Sequence, residues 1–179
     1  MKFNDKFNNL FERLLTESIS EKLYPTLEEL KKFFEMIKIP EDNIYLHLKE
    51  NQYLEEVEGN SSWGATHGDL FQIAKIIFPG FYLVKKVDIK NIGTTEKNEQ
   101  KWILDPSSDA KNSSYLIPVI ANKYTNEFKK NKGFYLARLM GEIHPNGFIY
   151  TYLNGYILVP DVEKFLKTYK VNYNFDPGP

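Results

Sequence analysis

Cysteine is absent from the chain of 179 residues. Its absence excludes disulfide bonds, thiolate nucleophiles, cysteine-bound zinc and iron–sulfur clusters, and it fits a reducing compartment. Long apolar runs are missing too: no stretch approaches the ~18 apolar residues of a membrane-spanning helix, and the start of the chain lacks the apolar core of a signal peptide. We therefore expect a cytoplasmic protein that makes no contact with a membrane.

A strong charge of either sign is also lacking, since the formal net charge is −1. Residues 1–60 carry −5 and residues 61–179 carry +4, a difference that fits two halves facing each other as well as it fits a partner surface. A balance of acidic and basic residues this close argues against a protein that binds along the phosphate backbone of a nucleic acid. Nucleic acid is therefore not an expected partner.

One globular domain is expected over residues 1–179, because a chain of this length buries roughly 70% of its unfolded surface. Within it, residues 1–60 are predicted to be a helical portion and residues 61–179 a mixed portion with an antiparallel sheet. The predicted fold class is α+β, with a helical N-terminal half packed on about five antiparallel strands.

Three patterns predict the helical portion. Apolar residues recur at helical spacing over residues 3–17. Thr26 begins a second helix with the signature of a capping box, and Pro40 ends that helix. The same proline suits the first turn of a third helix, which is predicted to reach Leu48 or Val57.

The mixed portion is predicted to start with a fourth helix between Thr66 and Pro79, where apolar residues repeat at helical spacing. Alternation from Phe81 onward predicts a strand, whose partner is expected at residues 101–105. Residues 114–130 are predicted to be another helix.

The last part of the chain predicts a three-strand meander over residues 134–159. Its second turn is placed at Asn154-Gly155, because both residues tolerate the positive φ angles of a tight hairpin. Asp161 is expected to cap a final helix.

One stretch resembles an enzyme family. The His67-Gly68 pair, followed by a predicted helix and a Gly-Phe pair at residues 80–81, resembles the His-Gly segment of the poly-ADP-ribose-polymerase-like ADP-ribosyltransferases. The segment KWILDPSSDAKNSSY is similar to the second element of that family. The resemblance implies NAD as the cofactor, His67 on the nicotinamide ribose, Tyr115 as the stacking tyrosine and Glu142 as the catalytic acid.

The same histidine also has a structural interpretation. Asp69 follows at an expected helix start, where its carboxylate satisfies backbone N–H groups, and no nearby residue is specified to orient the imidazole. The three histidines, His47, His67 and His144, lack the spacing that presents two of them to one metal ion. No metal site is expected.

Aromatic side chains offer an alternative to catalysis. Phe148, Tyr150 and Tyr152 share one face of a predicted strand, and this face suits protein binding if helices cover only the other side of the sheet. The other interpretation is that this strand is buried on both faces. Phe7 and Phe11 lie on the apolar stripe of the first helix, which is expected to pack on the body or on another chain in a possible homo-oligomer.

The sequence KFNDKFNNLFERLLTES resembles the short amphipathic openings of proteins from large tailed phages, and the richness in Lys, Asn, Ile, Phe and Tyr is typical of an AT-rich genome. We therefore predict a non-enzymatic protein-binding accessory factor of phage or bacterial origin, which needs no cofactor and docks on or occludes a protein target. The alternative is a small ADP-ribosyltransferase-like enzyme that uses NAD.

Overall fold

The computed structural model describes residues 27–57, 67–105, 116–123, 133–139 and 155–171. The two α-helices within these ranges are α1 (Leu27–Ile37) and α2 (Val162–Thr168), and Ile44–Leu46 form one 3₁₀ turn. The strands are β1 (Tyr53–Glu56), β2 (Leu70–Phe78), β3 (Phe81–Val87), β4 (Ile89–Thr94), β5 (Gln100–Leu104), β6 (Ile117–Lys123), β7 (Phe134–Arg138) and β8 (Gly155–Val159). Strands therefore predominate in the described part of the chain.

Six of these strands close into an antiparallel barrel in the order β1, β2, β3, β6, β7, β8. The barrel closes between its first and last strands, where Tyr53 lies opposite Val159. Strands β4 and β5 form a separate two-stranded hairpin, in which Ile89 lies opposite Leu104. We refer to this hairpin, residues 89–104, as the arm.

The barrel interior is an apolar core to which all six strands contribute. Since successive side chains of a strand point to opposite faces, every second residue enters this core. The strand residues of the core are Leu54, Phe71, Ile73, Tyr82, Val84, Ile117, Val119, Ala121, Leu136 and Tyr156. The other face of the same strands is apolar where a helix covers it.

Both helices pack on the outside of the barrel. Leu30 and Phe33 of α1 are fully buried in a cluster with residues of β2, β3 and β6. Phe165 of α2 and the following Tyr169 are buried against Leu70 of β2 and neighbouring residues. The helices thus bury part of the outer face of the barrel.

The structure contradicts the predicted α+β class with a helical N-terminal half. The region from Pro40 to Val57, predicted to be a third helix, holds a 3₁₀ turn and strand β1. Residues 70–78 and 117–123, which were also predicted to lie in helices, form β2 and β6. Strands buried on both faces lose the alternation of apolar and polar residues, so their apolar runs resemble helical patterns.

The predicted pairing of the strand at Phe81 is wrong as well. Phe81–Val87 is a strand as predicted, but its neighbours are β2 and β6. Gln100–Leu104 pairs with β4 instead. The chain leaves the barrel after Val87 and forms the arm before it returns as β6.

The predicted three-strand meander is also wrong. Strand β7 pairs directly with β8, with Leu136 opposite Tyr156 and Ala137 opposite Gly155. The other edge of β8 pairs with β1. Gly155 is therefore a buried strand residue, whereas residues 140–154 lie outside the described part of the chain.

Two predicted helices are confirmed. Helix α1 lies where the capping box placed a helix, and it buries Leu30, Phe33 and Ile37. Helix α2 follows Asp161, whose carboxylate accepts a hydrogen bond of 2.9 Å from the Lys164 N–H. The helix predicted at residues 3–17 lies outside the described residues. Neither described helix is long and apolar enough to span a membrane.

Candidate functional site

His67 lies just before β2 and joins the barrel to α2. Its Nδ1 atom is 3.1 Å from Glu55 Oε1 on β1, and its Nε2 atom is 2.9 Å from Thr168 Oγ1 at the end of α2. The ring also packs on Phe165 and Tyr169, with centroid distances of 4.6 and 6.3 Å. Both ring nitrogens are therefore engaged by protein groups.

The surroundings of His67 correct part of the sequence interpretation. The sequence specifies no nearby residue to orient the imidazole, and in the structure Glu55 and Thr168 contact it from 12 and 101 residues away in the chain. Asp69 does not cap a helix, since it precedes strand β2 and accepts a hydrogen bond from Lys86. The structural role of His67 stays a prediction, which these contacts support.

The hydrogen bonds of Thr168 allow two proton arrangements. Its hydroxyl lies 3.1 Å from both the Lys164 and Phe165 carbonyl oxygens, yet it has a single proton to donate. If that proton goes to a helix carbonyl, the Thr168 oxygen accepts a hydrogen bond from His67 Nε2–H. If the Thr168 proton goes to His67 Nε2, the hydroxyl, the imidazole and the Glu55 carboxylate are linked in the same order as in a hydrolase triad. In both arrangements the Thr168 hydroxyl links the imidazole of His67 to the end of α2.

Gly68 brings this segment close to β1. A Cβ atom at position 68 would lie 1.7 Å from the Glu56 carbonyl oxygen, so no other residue fits without movement of the backbone. The Gly68 N–H donates to Glu55 Oε1 over 3.0 Å. The glycine therefore serves close strand approach, which fixes Glu55 and with it His67.

A network of charges lies at the same end of the barrel. Lys86 Nζ is 2.7 Å from Asp69 Oδ2, and the Tyr156 hydroxyl donates to Glu56, its cross-strand partner. Burial raises the pKa of Glu56 and the nearby charge of Asp69 raises it further, whereas Lys86 and Arg138 oppose the rise. Burial, followed by the charge of Glu56, also raises the pKa of Tyr156. Tyr156 therefore keeps its proton and remains a donor.

A cleft of about 230 Å³ opens beside this network. The residues that line it include Gly68, Asp69, Lys86, Asp88, Ile89 and Tyr169. Its volume is below the ~300 Å³ at which pockets for drug-sized ligands begin. The cleft therefore suits one side chain or a small group, and it is too small for a dinucleotide such as NAD.

The arm extends from the edge of this cleft and is widely exposed. Residues 90–94 of β4 are exposed on both faces of the hairpin, and Ile92 exposes 47% of its surface. The other strand of the arm, β5, is held at its start and at its middle by the segment that follows α2. Trp102 packs on Tyr169 with ring centroids 4.9 Å apart, and the Gln100 side chain makes two hydrogen bonds to the backbone of Val171.

His67 is the only predicted site residue within the described ranges. The others, namely Phe7, Phe11, Tyr115, Glu142, Phe148, Tyr150 and Tyr152, lie outside them. Sequence reasoning missed Glu55, Thr168, Lys86 and the arm, for which no motif gives a signal. Among the residues that the structure describes, no three His, Asp or Glu side chains form a group that could hold a metal ion.

Comparisons of the chain with protein-family models, with curated proteins and with solved structures find no match.

Proposed function

We propose that this protein is a non-enzymatic accessory factor of phage or bacterial origin, which acts in the cytoplasm by docking on a protein target through the arm. The exposure of β4 on both faces, with Ile92 at its middle, is the observation that carries this proposal. Within the described ranges, β5 is the strand partner of β4. An exposed strand edge is a template on which an extended segment of another protein adds as a further strand.

The attachment of the arm supports docking. An isolated two-stranded hairpin is marginally stable in water. Here Trp102 and Gln100 hold β5 against the segment that follows α2, and the Asp105 N–H donates to the Asp88 carbonyl oxygen over 2.8 Å at the base of the arm. A hairpin held in this way presents its outer strand with little loss of conformational freedom on binding.

His67 gives the NAD-using alternative no support. For this residue to hold a nicotinamide ribose, one ring nitrogen has to release Glu55 or Thr168. The cleft beside it is also smaller than a dinucleotide requires. The environment of His67 thus favours a binding protein over a transferase.

Affinity capture from the source cells tests the proposal with a matched pair of variants. Ile92→Lys places a charge at the middle of β4, whereas Ile76→Lys places the same charge on β2, where Ile76 is 36% exposed outside the arm. Wild type and Ile76→Lys are expected to recover the same partner in stoichiometric amount. Ile92→Lys should recover about tenfold less, because a lysine on an edge strand opposes strand addition.

Two results would contradict the proposal. One is equal recovery of the partner by Ile92→Lys and wild type, which would remove the arm from the interface. The other is consumption of NAD by the purified wild-type protein together with an NAD-dependent rise in its melting temperature. That result would establish the enzyme instead.

A further inference from the structure

We infer that His67 is a positioning residue for the arm. Its imidazole fixes the end of α2 on the barrel, and the two residues that hold β5, Tyr169 and Val171, follow α2 in the chain. The orientation in which β4 is presented to a partner therefore depends on a side chain outside the arm. The inference rests on the proposed docking, and it adds how the docking strand is held.

The arm depends on contacts outside its own two strands for its direction. It forms a sheet separate from the barrel, and only Asp88 lies between β3 and β4 in the chain. Ile89 and Leu104, the first pair of the hairpin, pack in an apolar cluster with Leu70 and Val87 of the barrel. These contacts fix the base of the arm, but a hairpin that is attached only at its base can pivot there.

Two contacts further along β5 oppose this pivoting. The Trp102 ring packs edge-on against Tyr169, with ring centroids 4.9 Å apart. The Gln100 side chain accepts from the Val171 N–H over 3.0 Å and donates to the Val171 carbonyl oxygen over 3.2 Å. Because Gln100 lies four residues from Leu104 on the same strand, its contact acts roughly 13 Å from the base of the arm. The backbone that follows α2 therefore sets the direction of the hairpin.

The position of this backbone depends on α2, which is too short to be stable by itself. Helix α2 has seven residues, whereas isolated helices below about 12–15 residues are marginal in water. Phe165 attaches α2 to the barrel by apolar packing, which is not directional. The 2.9 Å contact between His67 Nε2 and Thr168 Oγ1 is directional, and it lies at the last residue of α2, directly before Tyr169. This contact therefore fixes the point from which the backbone leaves the helix.

His67 is itself held firmly on the barrel. Glu55 Oε1 lies 3.1 Å from His67 Nδ1 and accepts from the Gly68 N–H over 3.0 Å, so one carboxylate oxygen fixes both the ring and the next residue. The Glu55 and His67 side chains are only 17% and 25% exposed, which limits competition from water. The ring also stacks on Tyr169 at an angle of 14°. His67 thus joins strand β1 to the residue that packs on Trp102.

Residual dipolar couplings of the full-length protein, labelled with ¹⁵N, test the inference without a partner. In wild type, one alignment is expected to fit the amides of the barrel, such as those of Ile73 and Ala121, together with those of the arm, such as Lys90 and Ile103. In His67→Ala the barrel couplings should keep this alignment. The arm couplings should become smaller and leave the common fit, because the arm is then free to pivot.

Three further variants identify the cause. Thr168→Val removes the hydroxyl at nearly constant volume and should release the arm as His67→Ala does. Thr168→Ser keeps the hydroxyl and should retain the wild-type couplings. Ile37→Val shortens a buried side chain in the apolar cluster around α1, which is separate from the cluster around α2, so it weakens the protein elsewhere. It should leave the arm couplings in the common fit.

The inference is overturned if the arm couplings fit the alignment of the barrel in either His67→Ala or Thr168→Val, each shown to be folded by circular dichroism. If His67→Ala does not fold, Thr168→Val decides alone. Release of the arm in Thr168→Ser would overturn the inference as well, because the hydroxyl would not be the cause. Release in Ile37→Val would do the same, because general destabilisation would then be sufficient to move the arm.

The role of His67 and the docking through the arm fail separately. Equal recovery of the partner by Ile92→Lys and wild type would refute the docking, but it would leave the couplings as they are. Couplings that stay in the common fit would refute the role of His67, but they would leave the result of the capture experiment unchanged. The two failures are therefore distinguishable.

Discussion

Replacement of Gly68 by alanine is expected to destabilise the protein strongly. The added Cβ would lie 1.7 Å from the Glu56 carbonyl oxygen and 2.8 Å from its carbon, whereas Cβ atoms essentially never come within 3.0 Å of another heavy atom. Residue 68 and β1 must therefore part by at least about 1.3 Å. Overpacking of this kind costs about 1–3 kcal/mol.

The displacement also affects two hydrogen bonds, each of 3.0 Å. One joins the Gly68 N–H to the Glu55 carboxylate, and the other joins the Glu56 N–H to the Asp69 carbonyl oxygen. Hydrogen bonds contribute about 1 kcal/mol each, and those to charged groups contribute about 1.5–3 kcal/mol. We therefore expect a total loss of about 3.5–7 kcal/mol, a large part of the roughly 5–15 kcal/mol that stabilises a typical domain.

Urea unfolding followed by circular dichroism measures this loss. Gly93→Ala is the control, because Gly93 has a φ of +118° but no atom within 4 Å of an added Cβ. Its cost is backbone strain alone, about 1–3 kcal/mol. If Gly68→Ala costs no more than Gly93→Ala, the close approach of residue 68 to β1 does not exist and the account of the site is wrong.

Two further predictions concern the same end of the barrel. Thr168→Val removes a hydroxyl at nearly constant volume and should lower the free energy of unfolding by about 1–2 kcal/mol, since His67 loses a partner; unchanged stability in urea would contradict the proposed link between His67 and α2. Glu56→Gln tests the raised pKa of Glu56. Because the folded state retains this proton above the ordinary pKa of 4.5, wild type loses stability as the pH rises from 4.5 through the raised pKa. The variant does not ionise at this position. Its free energy of unfolding should therefore rise relative to that of wild type across this pH range and stay level above it. A difference in unfolding free energy that does not vary with pH would refute the explanation.

The two helices were predictable because their signals are local. A capping residue and the apolar spacing that follows it lie within one short segment, so no distant contact is needed to recognise the helix. Asp161 capping α2 is the clearest example. Barrel strands give weaker signals. In β2, Leu70 and Ile77 face outer clusters while Phe71 and Ile73 face the interior, and the resulting apolar run has helical spacing by coincidence.

The candidate site was harder to predict because its residues come from separate parts of the chain. His67 was recognisable as an unusual residue in a loop-like sequence, but Thr168 lies 101 residues further on. Glu55 and Glu56 are neighbours with different surroundings. The first contacts His67, and the second pairs with Tyr156 from the opposite strand. Only the strand assignment, which the sequence did not predict, separates these two roles.

The seam between β1 and β8, where Tyr53 meets Val159, also determines the order of events during synthesis. Strands β2 and β3 meet across a turn at residues 79–80 and can pair as soon as both have left the ribosome. The seam has to wait for β8, which begins at Gly155, and until then β1 and β7 each present an open edge. Open edges of a nascent chain are where wrong pairings and aggregation begin. The contacts between β1 and β8 that close the barrel therefore also end the period in which the nascent chain is prone to wrong pairing and aggregation.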